Sequence, residues 1–197
     1  MHIWNTIQAV YGYTDLEIRR IQYTLKVIFS ELSKIILLFF VFLFLQKARE
    51  YIIAVFVLCS LRRFSGGAHM SHHWSCLLCT FLVIYLSIYP ADYVILPEIF
   101  PPAAVLLCCL VTYLIGPIPS RQRPPYSYTD WKNFRIKSVI VLLFYFLTTI
   151  LFPLYPYLDI VVWTIMIQTL QLVITKIIQK GECYEKTHEC KLDENRI

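Results

Sequence analysis

The sequence predicts an all-α integral membrane protein: about six transmembrane helices, an N-terminal amphipathic helix before them, and a helix break or re-entrant segment near residues 62–76. Three observations predict it. Of 197 residues, 58% are hydrophobic and 16% charged, against roughly 45–50% and about 25% in soluble domains. The apolar residues fall in blocks that approach the roughly 20 residues needed to cross a hydrocarbon core. Lysine and arginine concentrate in alternate connecting segments, the distribution expected when basic loops stay on the cytoplasmic side. One membrane domain over residues 1–197 follows, with an amphipathic helix at 1–26, a bundle at 27–178 and a cytoplasmic tail at 179–197.

In the first segment Ile18, Ile21, Leu25, Ile28 and Leu32 recur at helical spacing with charges between them, the pattern of a helix lying at an interface. Asp15, Glu17, Arg19, Arg20 and Lys26 interrupt any apolar core of the signal-peptide kind, so the N-terminus is expected to be retained. A first span must reach from about Val27 to Leu45, which takes Glu31 and Lys34 towards the membrane. Three residues apart, those two can pair on one helix face and point into the bundle. Tyr51–Leu61 is short for a second span and must borrow its flanks or be re-entrant. Trp74–Tyr89 and about Ile99–Ile118 give the third and fourth, separated by a loop marked by Pro90, Pro97, Pro101 and Pro102. Ser138–Phe152 and Tyr157–Ile178 complete the set around a turn at Pro153 and Pro156.

Orientation follows from the basic residues. Arg121, Arg123, Lys132, Arg135 and Lys137 place the Pro119–Lys137 loop inside, and Lys176, Lys180, Lys186, Lys191 and Arg196 do the same for the tail. The Pro90–Pro102 loop and the Pro153–Asp159 turn carry no Lys or Arg and fall outside, so Arg62–His73 and both termini lie inside. Lys47 and Arg49 fit badly, on the outer side. The formal charge of +5 resides in these loops without aromatic interleaving, so nucleic acid is not an expected partner. Seven cysteines is an odd number, and Cys59, Cys108 and Cys109 sit in apolar blocks, which argues for reduced thiols rather than a secreted disulfide framework.

Reactive residue types concentrate in Arg62-Arg63-Phe64-Ser65-Gly66-Gly67-Ala68-His69-Met70-Ser71-His72-His73-Trp74-Ser75-Cys76. A Cys/His pair can divide a hard acyl transfer into two steps through an acyl-enzyme. Cys76 falls in the first turn of the third span, where the positive helix end favours thiolate. His72, four residues earlier, would neighbour it on a helix starting that early. His69, seven earlier, is about 10 Å away along a continuous helix and serves as base only if the backbone folds back. Gly66 and Gly67 permit such a fold, and their amides could serve an oxyanion.

The positions of Arg62, Gly67, His69 and Cys76 resemble the signature of the accessory gene regulator B (AgrB) family, membrane cysteine endopeptidases that process quorum-sensing pro-peptides in bacteria. The resemblance extends to chain length, six spans and an amphipathic start. It implies Cys76 as nucleophile and His69 as base, against the helical argument for His72, with Arg62, Gly66 and Gly67 supporting. It also implies a bacterial cell-membrane location, no cofactor and no metal. The implied partner is a short precursor peptide with an amphipathic leader and an acidic C-terminal tail. Cleavage before that tail would leave the signal core as a thioester on Cys76, open to capture as a thiolactone or lactone.

Other readings compete. His69, His72, Cys76 and Cys79 have the donor types of a zinc site, which metal analysis would decide. Cys183, His188 and Cys190 are read as part of a solvated terminus, and Cys59, Cys79, Cys108 and Cys109 as packing residues. Arg121, Arg123, Lys132, Arg135 and Lys137 are read first as an anchor beside anionic lipid and second as a grip for an acidic peptide tail. Asp159, Gln168 and Gln171 are costly in lipid and are expected to face the bundle. The alternative of a different class is a small non-enzymatic transporter or peptide exporter, for which Cys76 would be dispensable. Homodimer formation is left open.

Overall fold

The computed structural model describes residues 14–67, 73–94, 96–118 and 128–194. Among them the regular structure is helical: α1 Asp15–Phe44, α2 Ala48–Ser65, α3 His73–Tyr93, α4 Phe100–Ile115, α5 Tyr128–Leu151 and α6 Leu158–Glu194. The chain divides into two compact units, residues 1–46 and 47–197.

In the first unit the expected boundary near residue 26 is absent, because α1 runs unbroken for 30 residues. Its start is set by a capping box. The Thr14 hydroxyl accepts from the Glu17 amide while the Glu17 carboxylate accepts from the Thr14 amide, and such a cap stabilises a helix by about 1 kcal/mol. The expected pair also forms: Lys34 Nζ is bonded to Glu31 Oε1, with Lys34 2% exposed.

In the second unit α6 is the hub, packed against α2, α3 and α4, while α5 packs on α4 and α2. The core joins Val57 and Leu61 of α2, Val105 of α4, Leu142 of α5, and Val162 and Ile165 of α6. The outward faces are apolar as well. Leu78, Leu82 and Leu86 on α3, Leu106, Leu107 and Leu110 on α4, and Ile140, Phe144 and Leu147 on α5 are all exposed, far more than a monomer in water presents. The buried faces carry hydroxyls, among them Thr80, Ser87, Thr164, Thr169 and Thr175, each donating to the carbonyl four residues back. Apolar outside with self-satisfied small polar groups inside is the arrangement lipid requires.

Trp74–Tyr93, Trp131–Leu151 and Leu158–Gln179 are long and apolar enough to cross a membrane, and Phe100–Ile115 is apolar but shorter. At 18 residues α2 is about 27 Å long, having borrowed the flanks that its apolar centre lacked. Four boundaries differ from the sequence reading. Pro90 lies inside α3, and the helix outlasts it because the Val94 amide still reaches the Pro90 carbonyl. Pro101 and Pro102 open α4 instead of lying in a loop, since first-turn amides have no intrahelical partner to lose. Lys132, Arg135 and Lys137 stand on α5, which begins ten residues before the expected Ser138. At the other end α6 continues to Glu194 through most of the expected tail.

Lys47, the cation that fits the loop rule badly, bonds Asp92 at 3.0 Å and Glu50 at 3.5 Å. Those partners, the Asp92 hydrogen bond first, hold its ammonium above the usual lysine range. Its charge is compensated where α2 begins and α3 ends.

Candidate active site

The site is built where α2 ends and α3 begins. Gly66 terminates α2 at φ 75° and ψ −154°, a conformation essentially closed to other residues. Gly116 terminates α4 at φ 73° and ψ 177° in the same way. The two ends are joined by a parallel bridge between Gly66 and Ile118, with the Ile118 amide donating to the Ser65 carbonyl at 3.1 Å. The approach is so close that a Cβ on Gly66 would lie 2.2 Å from the Ile118 carbonyl oxygen. The Gly66 amide itself donates to the Arg62 carbonyl at 3.1 Å. It is thereby spent on ending α2 and is withdrawn from the oxyanion role that the sequence suggested for it.

Cys76 is the fourth residue of α3 and is 6% exposed. It shares the buried face of the helix with Thr80, Val83 and Ser87, opposite the lipid-facing Leu78, Leu82 and Leu86, so the thiol faces the bundle. Its carbonyl accepts from Thr80 Oγ1 at 2.9 Å. Cys59, Cys76, Cys79, Cys108 and Cys109 form no disulfides. Cys108 and Cys109 pack in the core as expected, whereas Cys59 is exposed. His69, His72, Arg121 and Arg123 lie outside the described residues, as do the side chains of Cys183, His188 and Cys190.

Sequence reasoning expected Gln168 and Gln171 to face the bundle without saying what they hold there. They hold Arg62. Its Nε donates to Gln168 Oε1 at 3.3 Å and its Nη2 to Gln171 Oε1 at 2.8 Å. The other end of each amide is used as well: Gln168 Nε2 donates to the Gly66 carbonyl at 3.2 Å, and Gln171 Nε2 to Cys79 Sγ at 3.5 Å. The two glutamines are 1% and 9% exposed. Gly67 sits against this group, where an added Cβ would meet Arg62 Nε at 3.6 Å and Gln168 Nε2 at 3.7 Å. The available signal was the three-residue spacing of two amides on an otherwise apolar helix, which places both on one face.

Of the basic residues on α5, Arg135 is engaged in the fold. Its Nε donates to the Tyr113 carbonyl at 2.6 Å, and its guanidinium lies 3.9 Å from the Tyr113 ring centroid and 5.1 Å from that of Trp131. This satisfies a last-turn carbonyl of α4. Trp131 packs against Gly116, where a Cβ would come within 2.6 Å of the indole. Lys132 and Lys137 are exposed.

The family described as Accessory gene regulator B matches residues 2–172. A protein of Clostridium beijerinckii that carries the description AgrB-like is 31% identical over 161 residues, covering 80% of this chain and 78% of its own length. No solved structure matches.

Proposed function

Because the chain belongs to the Accessory gene regulator B family, a family of quorum-sensing membrane proteins, we propose that it is a membrane-embedded cysteine endopeptidase. Its substrate is a precursor peptide whose C-terminal tail it removes. The observation that carries this reading is the position of Cys76. The thiol stands in the first turn of α3 on the bundle-facing side, one short connection from the glycine corner that ends α2. A helix start favours thiolate, and the connection carries His69 and His72.

In the proposed reaction the Cys76 thiolate attacks the carbonyl carbon at the core–tail junction. The peptide C–N bond breaks, the histidine gives its proton to the leaving amine, and the core remains as a thioester. A thiol or hydroxyl of the core then attacks that thioester, forming the ring and returning Cys76 to its free state. His69 is proposed as the base and His72 as the alternative. Arg62 and Gly67 support the site from the α2 side. Lys132 and Lys137, with Arg121 and Arg123, are proposed to hold the acidic tail, a role in which Arg135 is restrained by its α4 contacts. The chain is proposed to cross the bacterial cell membrane six times with both termini cytoplasmic.

Cys76→Ser, His69→Ala and His72→Ala, each co-expressed with a precursor peptide that the wild type cleaves, test the assignment. Tail release should vanish in the first two and persist in the third. Cleavage by Cys76→Ser would remove the peptidase reading in favour of a transporter or exporter. Loss in the His72 variant alone would move the base.

A further inference from the structure

Two buried amides on α6 are each used at both ends, and what they connect is informative. Both carbonyl oxygens receive the Arg62 guanidinium. One NH2 group reaches the Gly66 carbonyl, where α2 ends, and the other reaches Cys79, one turn beyond Cys76 on α3. The chain between Gly66 and Cys79 carries His69, His72 and Cys76. The amides therefore grip this connection at both of its ends, across 102 residues at Gly66 and 92 at Cys79.

Residue type strengthens the point. If α6 had only to neutralise Arg62, a carboxylate would serve better, since a charged acceptor bonds a guanidinium more strongly than a neutral one. A carboxylate has no proton for the Gly66 carbonyl or the Cys79 sulfur. Glutamine offers an acceptor and a donor at one reach, and both are used at both positions. Among the described residues no carboxylate lies within ion-pairing distance of Arg62.

We propose that Gln168 and Gln171 are positioning residues for the peptidase reaction. Through Arg62, Gly66 and Cys79 they fix the end of α2 and the first turns of α3, and with them the helix start on which the Cys76 thiol stands. This rests on the peptidase reading of the same site. In this proposal the glutamines act through those three partners and take no part in the bond changes themselves. Misplacing a base by about 1 Å can cost on the order of 10²-fold in rate, and a thiol that loses its base returns to a few per cent thiolate near neutral pH.

The test is the pH profile of Cys76 alkylation by iodoacetamide in the full chain reconstituted in nanodiscs, with the label located by peptide mass. The wild type should react with an apparent pKa below the ordinary thiol value of about 8.5. Gln168→Leu keeps the volume and loses both contacts. Its profile should move towards the ordinary value, with reaction at pH 7 slower by about tenfold or more. Gln168→Glu keeps an acceptor for Arg62 and loses the donor to Gly66, and it should behave like the leucine variant. Thr164→Val, one turn away on the same buried face, should leave the profile unchanged. Equal labelling after denaturation and an unchanged elution volume show that the variants are folded. A wild-type profile in both Gln168 variants overturns the positioning role and leaves the peptidase reading standing. A wild-type profile in Gln168→Glu alone also overturns it, because the Gly66 contact would then be idle. An ordinary thiol profile in the wild type itself removes the activated Cys76 on which both readings depend.

Discussion

Gly66 carries more structural demand than its neighbour Gly67 in the reactive segment. Its φ of 75° and ψ of −154° lie in a region that costs a side chain of L configuration about 1–3 kcal/mol. A methyl group would in addition overlap the Ile118 carbonyl oxygen. Gly67, its neighbour, has a negative φ or an extended backbone and room for a methyl group at ordinary contact distance. Gly66→Ala should therefore lower the thermal unfolding temperature in detergent distinctly more than Gly67→Ala, and equal shifts would refute the strained-corner account. The sequence alone could say that two adjacent glycines permit a fold-back. Which of them performs it depends on Ile118, a partner from the far side of α4, and no local pattern carries that information. The place of Cys76 in the first turn of α3 was legible because the apolar block of that helix begins at Trp74. The role of Arg62 was legible only as a resemblance, because both of its acceptors lie on α6.

At the scale of the element, periodicity and block length found helices reliably and placed their ends poorly. The apolar centres of α3, α4, α5 and α6 coincide with the expected blocks, because a helix in lipid needs continuous apolar surface and announces it. The ends follow different physics. Thr14 and Glu17 cap α1 in a four-residue pattern that periodicity ignores. Lys132, Arg135 and Lys137 resemble loop residues by charge, yet they stand on the first half of α5. The alternation of basic and Lys/Arg-free connections still predicts the crossing pattern, since Lys47 is compensated by Asp92 and Glu50. Reporter fusions at Glu98, before α4, and at Arg123, before α5, should report opposite sides of the membrane. The same side for both would refute the six-crossing arrangement.

For the whole molecule, the division of labour among basic groups can be tested through salt. Arg135 is bound to α4 by a hydrogen bond and a ring contact at Tyr113 and also lies over Trp131 of its own helix, whereas Lys132 and Lys137 are exposed. Exposed charges attract a partner over about 8 Å at physiological ionic strength and less as salt rises. Reversing Lys132 and Lys137 together to Glu should weaken precursor binding in vesicles, and the difference from wild type should shrink as salt is added. Arg135→Glu should instead lower stability by releasing the end of α4. Unchanged precursor binding in the double variant would end the claim that these lysines hold the acidic tail, with the Cys76 assignment intact.

The glutamine clamp also has a consequence in time. Arg62 is made long before its acceptors, which follow it by 106 and 109 residues. At about 5–20 residues per second of synthesis, α2 and α3 wait on the order of 5–20 s in the membrane before α6 emerges. During that interval Cys76 is already present, while the Gly66 carbonyl and the Arg62 guanidinium lack the amides that fix them. A chain that ends before α6 therefore carries Cys76 but lacks both amides that hold Arg62, the Gly66 carbonyl and Cys79.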